Sequence, residues 1–218
     1  SMYSIIVMQN LFLEGGAKGP VLAALCVIVA YFLGNISPAI LIGRLHGIDI
    51  KKEGSGNAGT TNVLRVLGKK AAAETLLVDI GKGVVAVLLG KLVGGMIMTD
   101  PGLLGAWCCV AVFCGHIWPA LFGFRGGKGI ATGFGAIVTA CPPLGGSVLV
   151  IALVLMVLTR RVSVGSVVAA ASLIFLGFYF APQYGIYFTV MALIAIWKHR
   201  ANIQRLLKGE EPKISFKK

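Results

Sequence analysis

Charge is what this chain has least of. Only 13% of its 218 residues are Asp, Glu, Lys or Arg, about half the share found in an ordinary soluble domain. Eight of these are acids, and there are three His. Carboxylates so few and so scattered argue against a dedicated divalent-metal cage. No paired-Asp motif for metal-dependent headgroup transfer is present, and no Gly-x-Ser-x-Gly nucleophile elbow. Cys26, Cys108, Cys109, Cys114 and Cys141 all sit in apolar runs with no CxxC or Cys/His spacing. They read as small buried hydrophobes, neither disulfide partners nor metal ligands.

What is present is oil. The chain is 57% hydrophobic with a mean hydropathy of +0.88. Uncharged apolar runs long enough to cross hydrocarbon recur from Val21 onward. The fold class is therefore all-α, a polytopic membrane protein. The thirty glycines suit helices that pack closely in a bilayer.

Seven apolar segments are expected, at roughly 20–43, 71–98, 103–121, 130–141, 144–158, 162–180 and 184–197. Residues 1–19 form a weakly apolar lead, read as an interfacial helix. Residues 20–197 form one transmembrane domain with polar loops at 44–70 and 122–129, and 198–218 form a basic tail. The net charge of +12 lies mostly in four segments: 44–70, 125–128, 160–161 and the tail. The alternate turns, 99–101 and 181–183, carry no Lys or Arg. Seven spans put all four basic segments on one side, with the N-terminus outside and the C-terminus cytoplasmic. Five spans give the same orientation but bury Pro142-Pro143 or Arg160-Arg161. This charge pattern points to topology and to anionic ligands rather than nucleic acid.

Two loops stand out in so apolar a chain. Gly54-Ser55-Gly56-Asn57-Ala58-Gly59-Thr60, followed by Thr61, Asn62 and Arg65, is rich in glycine and short donors. Glycine frees the backbone to turn its N–H groups inward, which suits an oxyanion such as phosphate. Gly126-Gly127-Lys128-Gly129 has the same character and sets an ammonium among glycines. The first loop is not a Walker A loop, because no Gly-Lys-Ser/Thr ends it and no strand precedes it.

Asp79 and Lys82 lie i, i+3 within a span, either a structural ion pair or part of a substrate site. His116 reads as a structural group near a span end. After the last span, a continuing helix places His199, Asn202 and Arg205 on one face. None of His46, His116 and His199 is followed by Asp five positions on. The His/Asp dyad of the CoA- or carrier-protein-dependent glycerolipid acyltransferases is therefore absent.

Three long segments, GSGNAGTTNVLR (54–65), GHIWPALFGFRGGKGIAT (115–132) and KHRANIQRLLKGEE (198–211), together with VDIGKG (78–83), resemble the bacterial acyl-phosphate:glycerol-3-phosphate acyltransferases of the PlsY type. Arg125 stands where that family often has lysine. The resemblance implies acyl transfer from a fatty acyl phosphate to the sn-1 hydroxyl of glycerol 3-phosphate. The products are lysophosphatidate and inorganic phosphate, and no cofactor, metal or obligatory protein partner is implied. The lipid bilayer is the environment, and the bacterial inner membrane with a cytoplasmic-facing site is the implied location.

On this reading Gly54, Ser55, Gly56, Asn57, Gly59, Thr61 and Asn62 hold the acyl-phosphate headgroup. Arg65, Lys128, His199 and Asn202 hold glycerol 3-phosphate, with Lys82, Gly127, Ser163 and Arg200 as further substrate contacts. The base is either His199 or a substrate phosphate oxygen. The alternative is a transporter of organic or inorganic phosphate, whose polar residues would lie at mid-membrane rather than crowd one face.

Overall fold

In hydrocarbon every backbone N–H and C=O must pair within its own segment, so apolar runs become helices. A computed structural model describes residues 11–12 and 18–214, and among these the regular structure is helical. The expected interfacial helix falls largely outside the described residues. The α-helices are α1 (Lys18–Asn35), α2 (Pro38–Leu45), α3 (Thr60–Leu67), α4 (Lys69–Ile97), α5 (Pro101–Ile117), α6 (Ile130–Ala140), α7 (Pro142–Thr159), α8 (Val162–Phe180), α9 (Gly185–Lys198) and α10 (Arg200–Leu207).

All seven expected apolar segments are helical, but they are not equivalent. Four stretches are long and apolar enough to cross a membrane: Lys18–Leu45, Pro101–Phe122, Pro142–Thr159 and Val162–Phe180. The 29-residue α4 is longer but carries Asp79, Lys82 and Lys91. The 11-residue α6 rises only about 16 Å, half the hydrocarbon thickness. Its exposed C-terminal carbonyls are met by Lys91 of α4, whose Nζ donates to Thr139 O at 2.7 Å and Ala140 O at 3.1 Å. A cation at a helix C-terminus also offsets the helix dipole.

The single span expected at 20–43 is broken. Pro38 has no N–H to continue α1 and disfavours a helical Ser37, so α2 restarts with proline at its first position. The freed groups find partners. Asn35 donates to Tyr31 O at 2.9 Å and accepts from Leu121 N at 3.1 Å, and Ile36 O accepts from Lys82 at 2.6 Å.

α5 is the central helix, packed by α1, α4, α6 and α9. Backbones touch where residues are small. A Cβ at Gly34 or Gly115 would overlap the facing backbone of α5 or α1. The α7–α8 pair joins the rest chiefly through α6 and α9, leaving a groove beside α4. The two ends of the bundle differ. At one, Tyr184 donates to the Asp100 carboxylate at 2.6 and 2.7 Å. At the other the basic segments meet, with Lys51 Nζ on Phe122 O at 2.8 Å and Arg161 Nε on Glu211 O at 2.9 Å.

Candidate functional site

The first glycine loop is tied down by one side chain. Asn62, 1% exposed, accepts from Ser55 N at 2.8 Å and donates to Glu53 O at 2.9 Å and Ile50 O at 3.3 Å. Its amide is thus spent on holding the loop. Gly54 and Gly56 have φ of +57° and +69°, and a Cβ at Gly54 would strike the Asn62 amide. Both glycines shape the loop and lie off the cavity described below. Ser55, Asn57, Gly59, Thr60 and Thr61 reach that cavity. Thr60 Oγ1 is buried with no hydrogen-bond partner.

The second loop lies on the end of α5. Gly126 N donates to Ile117 O at 3.1 Å and Gly127 N to His116 O at 3.2 Å. A side chain at Gly127 would overlap the His116 ring. Close approach explains that glycine, which does not line the cavity, while Lys128 beside it does. Below the loop lies a buried charge cluster, of which Asp79 and His116 also line the cavity. Lys82 Nζ is 2.8 Å from Asp79 Oδ1, donates to His116 Nδ1 at 2.9 Å and to Ile36 O at 2.6 Å. The ammonium is enclosed by the Asp79 carboxylate, His116 and Ile36 O, and Lys82 itself does not line the cavity. Of the two roles expected for Lys82, this geometry suits the structural ion pair.

The tail completes the polar end. α9 stops at Lys198, and α10 starts at Arg200, so His199, Asn202 and Arg205 line the cavity. His199 Nδ1 donates to Ala195 O at 2.8 Å, which leaves Nε2 unprotonated. Burial pushes the His199 pKa down to about 4 against the opposing Ala195 bond, and the Lys128 charge adds to the fall.

Beyond α10 the chain folds back, Ile214 N meets Arg160 O at 2.7 Å, and Glu211 enters the site. Its carboxylate accepts from Ser163 Oγ, Asn202 Nδ2 and Arg205 Nε, each at 2.7 Å. Burial alone would raise the Glu211 carboxyl, but these bonds and the Arg205 charge hold it below the usual carboxylate range. Asn202 Oδ1 in turn accepts from Lys128 Nζ. Burial, then the Arg205 and Arg65 charges, pull the Lys128 pKa down to about 8 against the Glu211 carboxylate.

These groups border one cavity of about 490 Å³, with an apolar arm running between α6, α7, α8 and α9. Ser55, Asn57, Gly59, Thr61, Asn62, Arg65, Lys128, Ser163, His199 and Asn202 are gathered there. Arg200 is not. It lies one residue past His199, about 100° around the helix, and stacks on Trp197 at 4.3 Å. The cation this segment supplies is Arg205. Thr60, Asp79, His116, Arg205 and Glu211 line the cavity as well. Thr60 and Arg205 lie in the loop and on the helix face expected from the sequence, whereas nothing in the sequence singles out Glu211. Among the described residues no group of three or more His, Cys, Asp or Glu could hold a metal.

Cations and short donors at one end of an apolar cavity suit an amphiphile with a phosphate head, and known proteins of similar sequence agree. The profile of the glycerol-3-phosphate acyltransferase family matches residues 24–209. The glycerol-3-phosphate acyltransferase of Thermoanaerobacter sp. (strain X514) is 45% identical over 198 residues, covering 89% of this chain and 97% of that protein. That of Clostridioides difficile (strain 630) is 44% identical over 193 residues, covering 88% and 95%.

The crystal structure of PlsY (YgiH), an integral membrane glycerol 3-phosphate acyltransferase, superposes in its glycerol 3-phosphate form with a TM-score of 0.81. It is 34% identical, covering 88% of this chain and 96% of that one. The lysophosphatidic acid form superposes with a TM-score of 0.78. A profile spanning nearly the whole chain, relatives matched almost end to end and a shared membrane fold give one answer: this chain belongs to the glycerol-3-phosphate acyltransferase family.

Proposed function

We propose that the chain transfers a fatty acyl group from acyl phosphate to the sn-1 hydroxyl of glycerol 3-phosphate. It releases lysophosphatidate and inorganic phosphate, as the first step of bacterial phospholipid synthesis. The observation that carries this is the charge at the cavity mouth. Arg65, Lys128 and Arg205 supply three positive charges, and Glu211 removes one. Positive charge beside short donors suits the phosphate groups that both substrates carry.

In this reading the acyl-phosphate headgroup lies against Ser55, Asn57, Thr60, Thr61 and the backbone of the first loop. Glycerol 3-phosphate lies against Arg65, Lys128, Asn202 and Ser163, and the acyl tail takes the apolar arm. The sn-1 oxygen attacks the acyl carbonyl carbon, the bond from that carbon to the phosphate oxygen breaks, and the hydroxyl proton leaves on phosphate. An acyl phosphate is already activated, so positioning and charge stabilisation carry the rate without a nucleophilic side chain. His199 Nε2 accepts from the neighbouring sn-2 hydroxyl and so aims the glycerol, while a substrate phosphate oxygen takes the sn-1 proton. Seven helical segments with the N-terminus outside put this end of the bundle at the cytoplasmic face of the inner membrane, in line with the basic segments gathered there.

The test supplies purified enzyme with palmitoyl phosphate and glycerol 3-phosphate, without metal or CoA. Phosphate release should require glycerol 3-phosphate, equal lysophosphatidate formed, and vanish in Lys128→Ala. Uptake of glycerol 3-phosphate into proteoliposomes with no product would overturn this reading for a transporter.

A further inference from the structure

The apolar arm of the cavity has a floor. Ile137, Val148, Leu173 and Met191 line it about two to three turns from the polar ends of α6, α7, α8 and α9, and each is 7% exposed or less. Nearer the polar end the wall is different. Leu76, Ile130 and Leu153 line the same cavity and are exposed, so the groove opens sideways between α4 and α7. The groove is therefore open beside the polar site and buried at its far end.

Resting on the acyl-transfer reading above, we infer that these four side chains measure the donor's acyl chain, with Leu173 and the adjacent Ala170 setting the preferred length. Ser163 marks the polar end of α8, and Leu173 lies ten residues further along it. At about 1.5 Å per residue that is about 15 Å. An extended chain advances about 1.25 Å per carbon, given C–C bonds near 1.5 Å. About twelve methylenes thus reach the floor, and each one up to it removes more apolar surface from water or headgroups. Carbons beyond it must bend or leave through the side opening, so they add little. Ala170, 6% exposed and also lining the cavity, sits one turn short of Leu173, where a larger side chain raises the floor.

The experiment compares wild type, Leu173→Ala and Ala170→Leu on saturated acyl phosphates from octanoyl to stearoyl, at saturating glycerol 3-phosphate, in one detergent. The reading is the chain length at which kcat/KM stops rising. Because it compares donors within each variant, loss of folded enzyme cancels. Leu173→Ala should move that break up by about two carbons, since the removed side chain leaves room of that size. Ala170→Leu should move it down by a similar amount. Identical profiles in all three proteins would overturn the ruler while leaving acyl transfer intact. Absence of lysophosphatidate from wild type with every donor would instead overturn the acyl-transfer reading beneath it.

Discussion

Asn202 donates to the Glu211 carboxylate at 2.7 Å, and that one bond decides which way round its amide lies. A carboxylate accepts only, so the NH₂ must face Glu211 and the carbonyl oxygen must face Lys128. The amide thus serves as a spacer between an anion and a cation. Lys128 is held in place without being neutralised by a direct ion pair.

An aspartate at 202 should therefore fail despite its near-identical shape. It would set a second carboxylate against Glu211 and pair Lys128 directly, taking that charge from the substrate. Loss of a hydrogen bond to a charged group is worth about 1.5–3 kcal/mol, so Asn202→Asp should lower kcat/KM for glycerol 3-phosphate about ten- to hundredfold. Steady-state kinetics at pH 7 checks this. An Asn202→Asp enzyme with wild-type kcat/KM would remove the spacer role.

The alkaline limb of activity should belong to Lys128. Its folded pKa is lowered to about 8, so it is charged below pH 8 and loses its charge as pH rises through that value. KM for glycerol 3-phosphate should climb above pH 8, approaching about tenfold per pH unit, and Lys128→Arg should flatten the climb because arginine keeps its charge. Between about pH 8 and 10.4 the unfolded chain holds this proton and the folded chain does not. This group's contribution to stability therefore rises with pH there. Alkaline loss of activity without a fall in Tm identifies the binding effect.

His199 should be dispensable as a base. With a conjugate acid near pH 4, Nε2 is a poor proton acceptor but a good hydrogen-bond acceptor, and a glutamine carbonyl can fill that role. His199→Gln should keep kcat near wild type while His199→Ala loses more. A fall of about 10³ in kcat for His199→Gln at unchanged KM would assign the base to His199.

The sequence made the helices legible because bilayer length and backbone pairing leave apolar runs few options. It also made legible the residues that meet through chemistry alone. Lys128 and His199 are far apart in sequence; the glycine setting points Lys128 at an anion, the family resemblance implies a substrate role for His199, and both line one cavity. Two things hid the rest. Arg200 and Arg205 look alike in composition, and only the helical phase set by His199 separates a cation turned out onto Trp197 from one turned into the cavity. Glu211 enters the site through a non-helical fold-back held by Arg160 and Arg161, which no periodicity announces. The Pro38 break was written in the sequence, but its consequence, a free Ile36 carbonyl for Lys82, depends on how three helices meet.

That contact gives a last prediction, which separates a structural lysine from a substrate-binding one. Lys82→Met would leave the Asp79 carboxylate, 1% exposed, with only His116 beside it, at 3.3 Å. Stranding one member of a buried ion pair costs about 3–5 kcal/mol, so Tm in detergent should fall sharply. Adding Asp79→Asn removes the stranded charge and should recover much of the loss, since neutral replacements of buried pairs are tolerated better than broken ones. In whatever folds, KM for glycerol 3-phosphate should stay near wild type, because Lys82 does not border the cavity. A Lys82→Met enzyme with unchanged Tm and a raised KM would return this lysine to the substrate site.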